Sequence, residues 1–217
     1  MKETGHLGAW PEGHLPFGRP MLDLTRDGCR IMGALTDVLM QPDVFSMALD
    51  GVSEHRRQKV LAYRFEKDRC TSLLAALLLD EMLRERGLRE RDMSYLESEQ
   101  GKPCFCHHED LHFSLAHSRN AAIAALSCTP VGVDIEYLPD FPHDIADPHT
   151  WTEMESVGKM LGCGVGAFVD SRSYDRPRDV AVEHVTFGDY LVCIARPRWF
   201  NMESDASQRS LANSYAQ

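Results

Sequence analysis

Apolar and polar positions along the chain change rhythm several times, and each change marks an element. Ile31 to Leu35 reads as a first strand, and Pro42 to Leu49 as a short helix opening at Asp43. Ser53 can cap a helix through the basic and apolar run SEHRRQKVLAYRF. Glu66 to Arg86 reads as a long helix. Leu73, Leu74, Leu77, Leu78 and Leu83 recur at spacings of three and four, a core-facing stripe that Gly87 ends. Met93 to Glu99 predicts a strand, and Gln100-Gly101-Lys102-Pro103 a rigid turn. Leu111 to Glu136 then predicts three short strands separated by turns. Tyr137 to Thr150 reads as a loop rich in Pro, Asp and His. Thr150 is expected to cap a helix from Trp151 (WTEMESVGKML), closed by Gly162 and Gly164. Val180 to Val185 and Tyr190 to Ala195 read as a hairpin around Gly188.

This order predicts an α+β fold with helices packed on short antiparallel sheets. Residues 1–30 are read as an N-terminal extension without periodicity, and 199–217 as a polar C-terminal tail. No internal repeat is visible.

Composition narrows the function classes. The chain has 217 residues, 43% hydrophobic, enough for a sizeable core without disulfides or metals. A formal net charge of -10 argues against a nucleic-acid partner, which needs a basic surface. No apolar run reaches the roughly 18 residues of a membrane span, so no membrane partner is expected. Seven scattered cysteines, an odd number, fit a reducing cytoplasm.

Three groups of residues carry candidate chemistry. Alternation along the last predicted strand puts Asp134 and Glu136 on one face while Val133 and Ile135 point into the core. Two carboxylates on one strand face close a core badly and hold a hard cation well. On the helix from Trp151, residues Trp151, Glu155 and Lys159 share a face; Glu155 and Lys159 alone could be an ordinary i,i+4 ion pair. Arg56, Arg57, Lys59, Arg64, Lys67 and Arg69 form either a solvated face or a local positive field that draws in a phosphate. Cys104-Phe105-Cys106-His107-His108 lacks the spacing of a zinc site.

Four ordered pieces then combine: Gly101-Lys102-Pro103; Phe113-Ser114-Leu115-Ala116-His117-Ser118; Val131-Gly132-Val133-Asp134-Ile135-Glu136; and Trp151-x-x-x-Glu155-Ser156-x-x-Lys159-x-x-Gly162-x-Gly164. Together with RFEKDRCTSLLAALLL, they resemble the larger, two-lobed type of 4′-phosphopantetheinyl transferase over roughly residues 31 to 195.

The resemblance implies a pseudo-two-fold pair of small α+β lobes, 31–115 and 116–198, acting as a cytoplasmic monomer. It implies Mg²⁺-dependent transfer of the phosphopantetheine arm of coenzyme A to a serine of an acyl or peptidyl carrier protein, releasing 3′,5′-ADP. Asp134, Glu136 and Glu155 would hold the Mg²⁺. Glu155 would take the serine proton, and Lys159 would stabilise phosphate charge. His117 would donate to the pyrophosphate, with Ser118 beside it. Lys102 and Pro103 would lie against the adenine, and Arg56 and Lys59 at the 3′-phosphate. Residues 137 to 150 are shorter than in relatives of this type, where a longer segment frames the carrier groove. Thr71 stands where many relatives have Arg, and Glu153-Met154 where a basic pair is usual. Two alternatives stay open: a coenzyme A- or carrier-binding protein without turnover, and a Mg²⁺-dependent phosphoesterase.

Overall fold

The computed structural model describes residues 21–98, 101–142, 147–163 and 174–198. The N-terminal segment 1–20, the tail 199–217 and Gly164 lie outside the described residues. The fold is α+β. Strand β1 (Leu22–Arg26) and strand β2 (Cys29–Leu35) form a hairpin. Helices α1 (Pro42–Leu49), α2 (Glu54–Ala62) and α3 (Glu66–Arg84) follow. A small hairpin, β3 (Tyr95–Glu97) with β4 (Pro103–Phe105), leads into β5 (His112–Ser118), β6 (Ala121–Ser127) and β7 (Gly132–Tyr137). Helix α4 (Pro148–Leu161) and the hairpin β8 (Val180–Phe187) and β9 (Tyr190–Pro197) complete the order. Among the described residues, no helix is long and apolar enough to cross a membrane.

The strands build a four-stranded antiparallel sheet, β1-β2-β6-β5, and a three-stranded one, β7-β9-β8. The leucine stripe of α3 packs with Phe113, Ala124 and Leu126 on one face of the larger sheet. The other face, with Ile31, Ile123 and Ala125, packs on Val133, Ile135, Val192 and Ile194 of the smaller sheet. Val157 and Met160 of α4 cover that sheet's far side through Val180 and Ala195. The result is four layers, α3, sheet, sheet and α4. Strand β6 is buried along its whole length because it lies between two strands and two layers.

Local chemistry fixes the element ends. The Ser53 hydroxyl accepts from the Arg56 N–H and caps α2. At the end of α3, Gly87 sits at φ 74° while its N–H bonds to the Arg84 carbonyl and that of Leu88 to Leu83, a left-handed stop.

Three expectations are corrected. Residues 21–30 are not an extension: β1 and the start of β2 occupy them, turning at Asp27-Gly28, both with positive φ. Helix α4 starts at Pro148 with Asp147 as its cap, and the Asp147 carboxylate accepts from the Thr150 N–H. Thr150 is therefore inside the helix. The expected lobe boundary between residues 115 and 116 falls inside β5, whose ladder to β6 runs unbroken from His112 to Ser118.

Candidate functional site

The site forms where β5, β7 and α4 meet. β5 and β7 are edge strands of different sheets, joined by hydroxyls rather than by a ladder. Ser114 Oγ accepts from Val133 N–H at 3.0 Å, and Ser118 Oγ accepts from Tyr137 N–H at 3.2 Å. Each serine lies nineteen positions before its partner, so the two bonds hold one register. Ser118 also donates to Glu136 Oε2 at 3.1 Å. On the other side, α4 lies against β7 at Gly132, where a Cβ would stand 1.9 Å from the Ser156 carbonyl oxygen. A glycine in a strand marks such a close backbone approach. The Ser156 hydroxyl donates to the Cys193 carbonyl of β9 at 3.0 Å and fixes the helix further.

This packing brings the predicted acidic residues and lysine together. Lys159 Nζ is 2.6 Å from Asp134 Oδ1 and 3.8 Å from Glu155 Oε2. Asp134 is buried, and its Oδ2 has no hydrogen-bond partner among the described residues. Burial pushes its carboxyl up to about 7 against the pull of Lys159. Burial also raises Glu136, opposed by hydrogen bonds from Ser118 and the Trp151 indole. His117 lies beside them with its ring edge-on to Tyr63, 6.0 Å between centroids. Burial first and Lys159 second lower its pKa, so the imidazole is neutral near pH 7.

Among the described residues, no three His, Cys, Asp or Glu side chains are gathered closely enough to hold a metal ion as they stand. Lys159 supplies the positive charge between Asp134 and Glu155, while Ser118 and Trp151 draw the Glu136 carboxylate aside. The donor set nonetheless suits a hard cation: it is all oxygen, and Asp134 offers one orphaned buried oxygen.

Two cavities flank this cluster. One of about 240 Å³ is lined by Arg56, Lys59, Lys102, Pro103, Leu115 and Lys159, among others. The other, of about 150 Å³, is lined by Ser118, Glu136, Tyr137, Phe141 and Trp151 with the Arg119–Asp140 ion pair. Two elements line both cavities. β5 runs from Ser114 and Leu115 at the larger past His117 to Ser118 at the smaller, and α4 from Lys159 at the larger past Glu155 to Trp151 at the smaller. β7 reaches the smaller one with Glu136 and Tyr137. Lys159 thus borders one cavity and Glu136 the other.

Of the basic cluster, Arg56 and Lys59 face the first cavity, whereas Arg57 pairs with Asp50 and Arg69 donates to the Tyr63 carbonyl. Arg56 is only 4% exposed. Its guanidinium carbon lies 5.1 Å from the Tyr95 ring centre and 5.4 Å from that of Phe113. Its Nε is 3.8 Å from Glu90, and Nε and Nη2 have no hydrogen-bond partner among the described residues. Glu90, fully buried, accepts from Ser53 N–H, Ser53 Oγ and Tyr95 Oη. Burial and the neighbouring Arg56 lower the pKa of Lys59. A buried cation with spare donors beside a second one suits an anion. Sequence reasoning missed Glu90 and Tyr95, which nothing in their local pattern distinguishes. Gly132 did carry a legible signal, since a glycine within a strand pattern marks close approach of another backbone.

Lys102 lines the larger cavity beside Pro103. Its ammonium points at backbone carbonyls, Val131 O at 3.3 Å and Met160 O at 3.2 Å. Burial brings its pKa down to about 8. The departures from the resembling pattern are absorbed locally: the Thr71 hydroxyl bonds back to the Lys67 and Asp68 carbonyls, and Glu153 pairs with Arg176 at 3.5 Å.

No protein-family model matches the chain. Similarity to individual proteins is clear. The chain is 26% identical over 168 residues to the 4′-phosphopantetheinyl transferase ffp of Bacillus subtilis, covering 66% of this chain and 75% of that one. It is 25% identical over 168 residues to the transferase Sfp of Bacillus subtilis strain 168, with the same coverage. It is 30% identical over 181 residues to the transferase gsp of Aneurinibacillus migulanus, covering 72% of this chain and 76% of that one. With that identity spread over three quarters of the Aneurinibacillus enzyme, and with the four motifs brought to one site, this chain belongs to the 4′-phosphopantetheinyl transferase family of enzymes.

Proposed function

We propose that this chain transfers the 4′-phosphopantetheine arm of coenzyme A to a serine of an acyl or peptidyl carrier protein, releasing 3′,5′-ADP. The observation that carries the reading is that β5 and α4 each line both cavities, the larger through Leu115 and Lys159 and the smaller through Ser118 and Trp151, with His117 and Glu155 on the stretches between. Displacement at phosphorus runs in line, with attacking and leaving oxygens on opposite sides. The larger cavity, with buried Arg56 and exposed Lys59, takes the leaving nucleotide with its 3′-phosphate at those cations. The acceptor serine comes from the side of the smaller cavity.

Pro103 and Lys102, which line the larger cavity, lie against the adenine. Neutral His117 donates one N–H to a pyrophosphate oxygen, with the Ser118 hydroxyl nearby. Glu155 accepts the serine proton as the serine oxygen bonds to the pantetheine-bearing phosphorus. The bond from that phosphorus to the oxygen it shares with the nucleotide breaks, and its electron pair leaves with 3′,5′-ADP. Lys159 stabilises negative charge on the phosphate oxygens. Asp134, Glu136 and Glu155 would hold a Mg²⁺, which when bound neutralises charge on the pyrophosphate.

On this reading the partners are coenzyme A and apo-carrier proteins, in the cytoplasm, with the transferase a monomer. The two halves, α3 on the larger sheet and α4 on the smaller, form its pseudo-two-fold lobes. A second reading, binding of coenzyme A or a carrier without turnover, is favoured by the short connection between β7 and α4.

The test incubates the protein with Mg²⁺, coenzyme A and a panel of apo-carrier proteins, followed by intact-mass spectrometry. Addition of the arm to at least one carrier is expected, and its absence from every carrier overturns the proposal.

A further inference from the structure

Lys102 reaches across the joint between the two elements that supply the site's acidic groups. Its Nζ donates to the carbonyl of Met160 at 3.2 Å and to that of Val131 at 3.3 Å. Met160 lies in the last turn of α4, where carbonyls lack a partner within the helix. Val131 is fully buried and immediately precedes β7. A cation at a helix C-terminus is also favoured by the helix dipole. The anchor is itself fixed. Gly101 turns the chain at φ 82°, the Lys102 N–H donates to Ser98 Oγ at 3.0 Å, and the Ser98 N–H donates to the Lys102 carbonyl at 2.8 Å. The left-handed Gly162 that ends α4 packs on the lysine stem, where a Cβ would lie 3.6 Å from the Lys102 Cβ.

We infer that Lys102 is a positioning residue: its ammonium ties the C-terminal end of α4 to the entry of β7 and so sets helix-borne Glu155 and Lys159 against strand-borne Asp134 and Glu136. The inference rests on the transfer reaction proposed above. It differs from a direct ligand interaction, because the ammonium is bonded to the Met160 and Val131 carbonyls, although Lys102 is also one of the residues that line the cavity. Removing a group that touches the nucleotide would weaken nucleotide binding. Removing a positioning group would leave the nucleotide bound and misplace the groups that act on it.

The test compares wild type, Lys102→Met, which keeps the stem without donors, and Lys102→Arg, which restores donors. It reads kcat, the Kd of 3′,5′-ADP and amide hydrogen exchange along α4. For Lys102→Met, kcat should fall about tenfold or more, with the Kd within about threefold of wild type. Amides 157–161 should exchange about tenfold faster while those of α3 hold their protection. Lys102→Arg should recover most of kcat. A Kd weakened about tenfold with kcat kept, or equal losses in both, overturns the inference, and so does wild-type behaviour throughout. A wild type that binds 3′,5′-ADP without transferring refutes the reaction instead. Exchange then decides the tie alone, and unchanged α4 protection in Lys102→Met overturns it. If the Met variant does not fold, Lys102→Gln, with one shorter donor arm, takes its place.

Discussion

Gly132 lies directly beneath the backbone of Ser156 and Met160: a Cβ on residue 132 would stand 1.9 Å from the Ser156 oxygen and 2.5 Å from the Met160 nitrogen. Both opposing atoms are backbone, so no side chain can turn aside to make room. This approach sets the depth of α4 over β7, and hence the reach of Lys159 to Asp134. Gly132→Ala should cost about 3 kcal/mol, at the upper end for overpacking, and reduce transfer more than nucleotide binding. A denaturant melt combined with transfer kinetics checks both.

Glu155→Gln keeps the side-chain size and removes the proton acceptor facing Lys159. Transfer should fall about a hundredfold or more, with 3′,5′-ADP affinity nearly unchanged because the larger cavity is intact. Single-turnover transfer and calorimetry on the same preparation separate these effects.

Glu90 is fully buried and accepts three hydrogen bonds, from Ser53 N–H, Ser53 Oγ and Tyr95 Oη, beside the guanidinium of Arg56. Glu90→Ala leaves those donors and a buried cation uncompensated, which typically costs about 3 to 5 kcal/mol. A shift of the urea midpoint measures it. Arg56→Met should instead weaken coenzyme A more than 3′-dephospho-coenzyme A, as competition binding can show.

Lys102 also predicts a pH dependence. Its folded-state pKa is lowered from 10.5 to about 8 by burial, opposed by the charge of Cys104. His112 also faces it. Between these pH values the unfolded chain keeps the proton that the folded chain releases, so stability rises as pH rises across the window. The contribution of Lys102 to the slope should be absent in Lys102→Met, and the difference between the two stability curves isolates it from the other groups that titrate in this window, Cys29, Cys193 and Lys59 among them.

Much of this architecture was readable from local pattern. The leucine stripe of α3, the Ser53 cap and the hairpin at Gly188 each follow from spacing or backbone conformation and sit where expected. The motif residues could be placed on strands and a helix, and the fold does bring Asp134, Glu155 and Lys159 together. The first hairpin went unread because the Gly-, Pro- and His-rich residues before it masked the signal. Asp27-Gly28, both at positive φ, is a favoured two-residue turn. The start of α4 was misplaced for a related reason: Asp147-Pro148 pairs a cap with proline at the first helical position. What no local pattern could show are interactions between distant segments. Lys102 at Val131 and Met160, Glu90 at Ser53, and Arg56 between Tyr95 and Phe113 exist only once the layers have packed.

Asp134 is the hinge of the proposed chemistry, since it is the buried carboxyl that joins β7 to Lys159 and keeps an oxygen free for a cation. The most direct measurement is intact-mass spectrometry of an apo-carrier protein incubated with coenzyme A, Mg²⁺ and either wild type or Asp134→Asn, with 3′,5′-ADP quantified alongside. One arm added per 3′,5′-ADP released is predicted for wild type, and almost none for the variant at an unchanged melting temperature. An unmodified carrier with wild type, or transfer by Asp134→Asn at the wild-type rate, would contradict the proposed site.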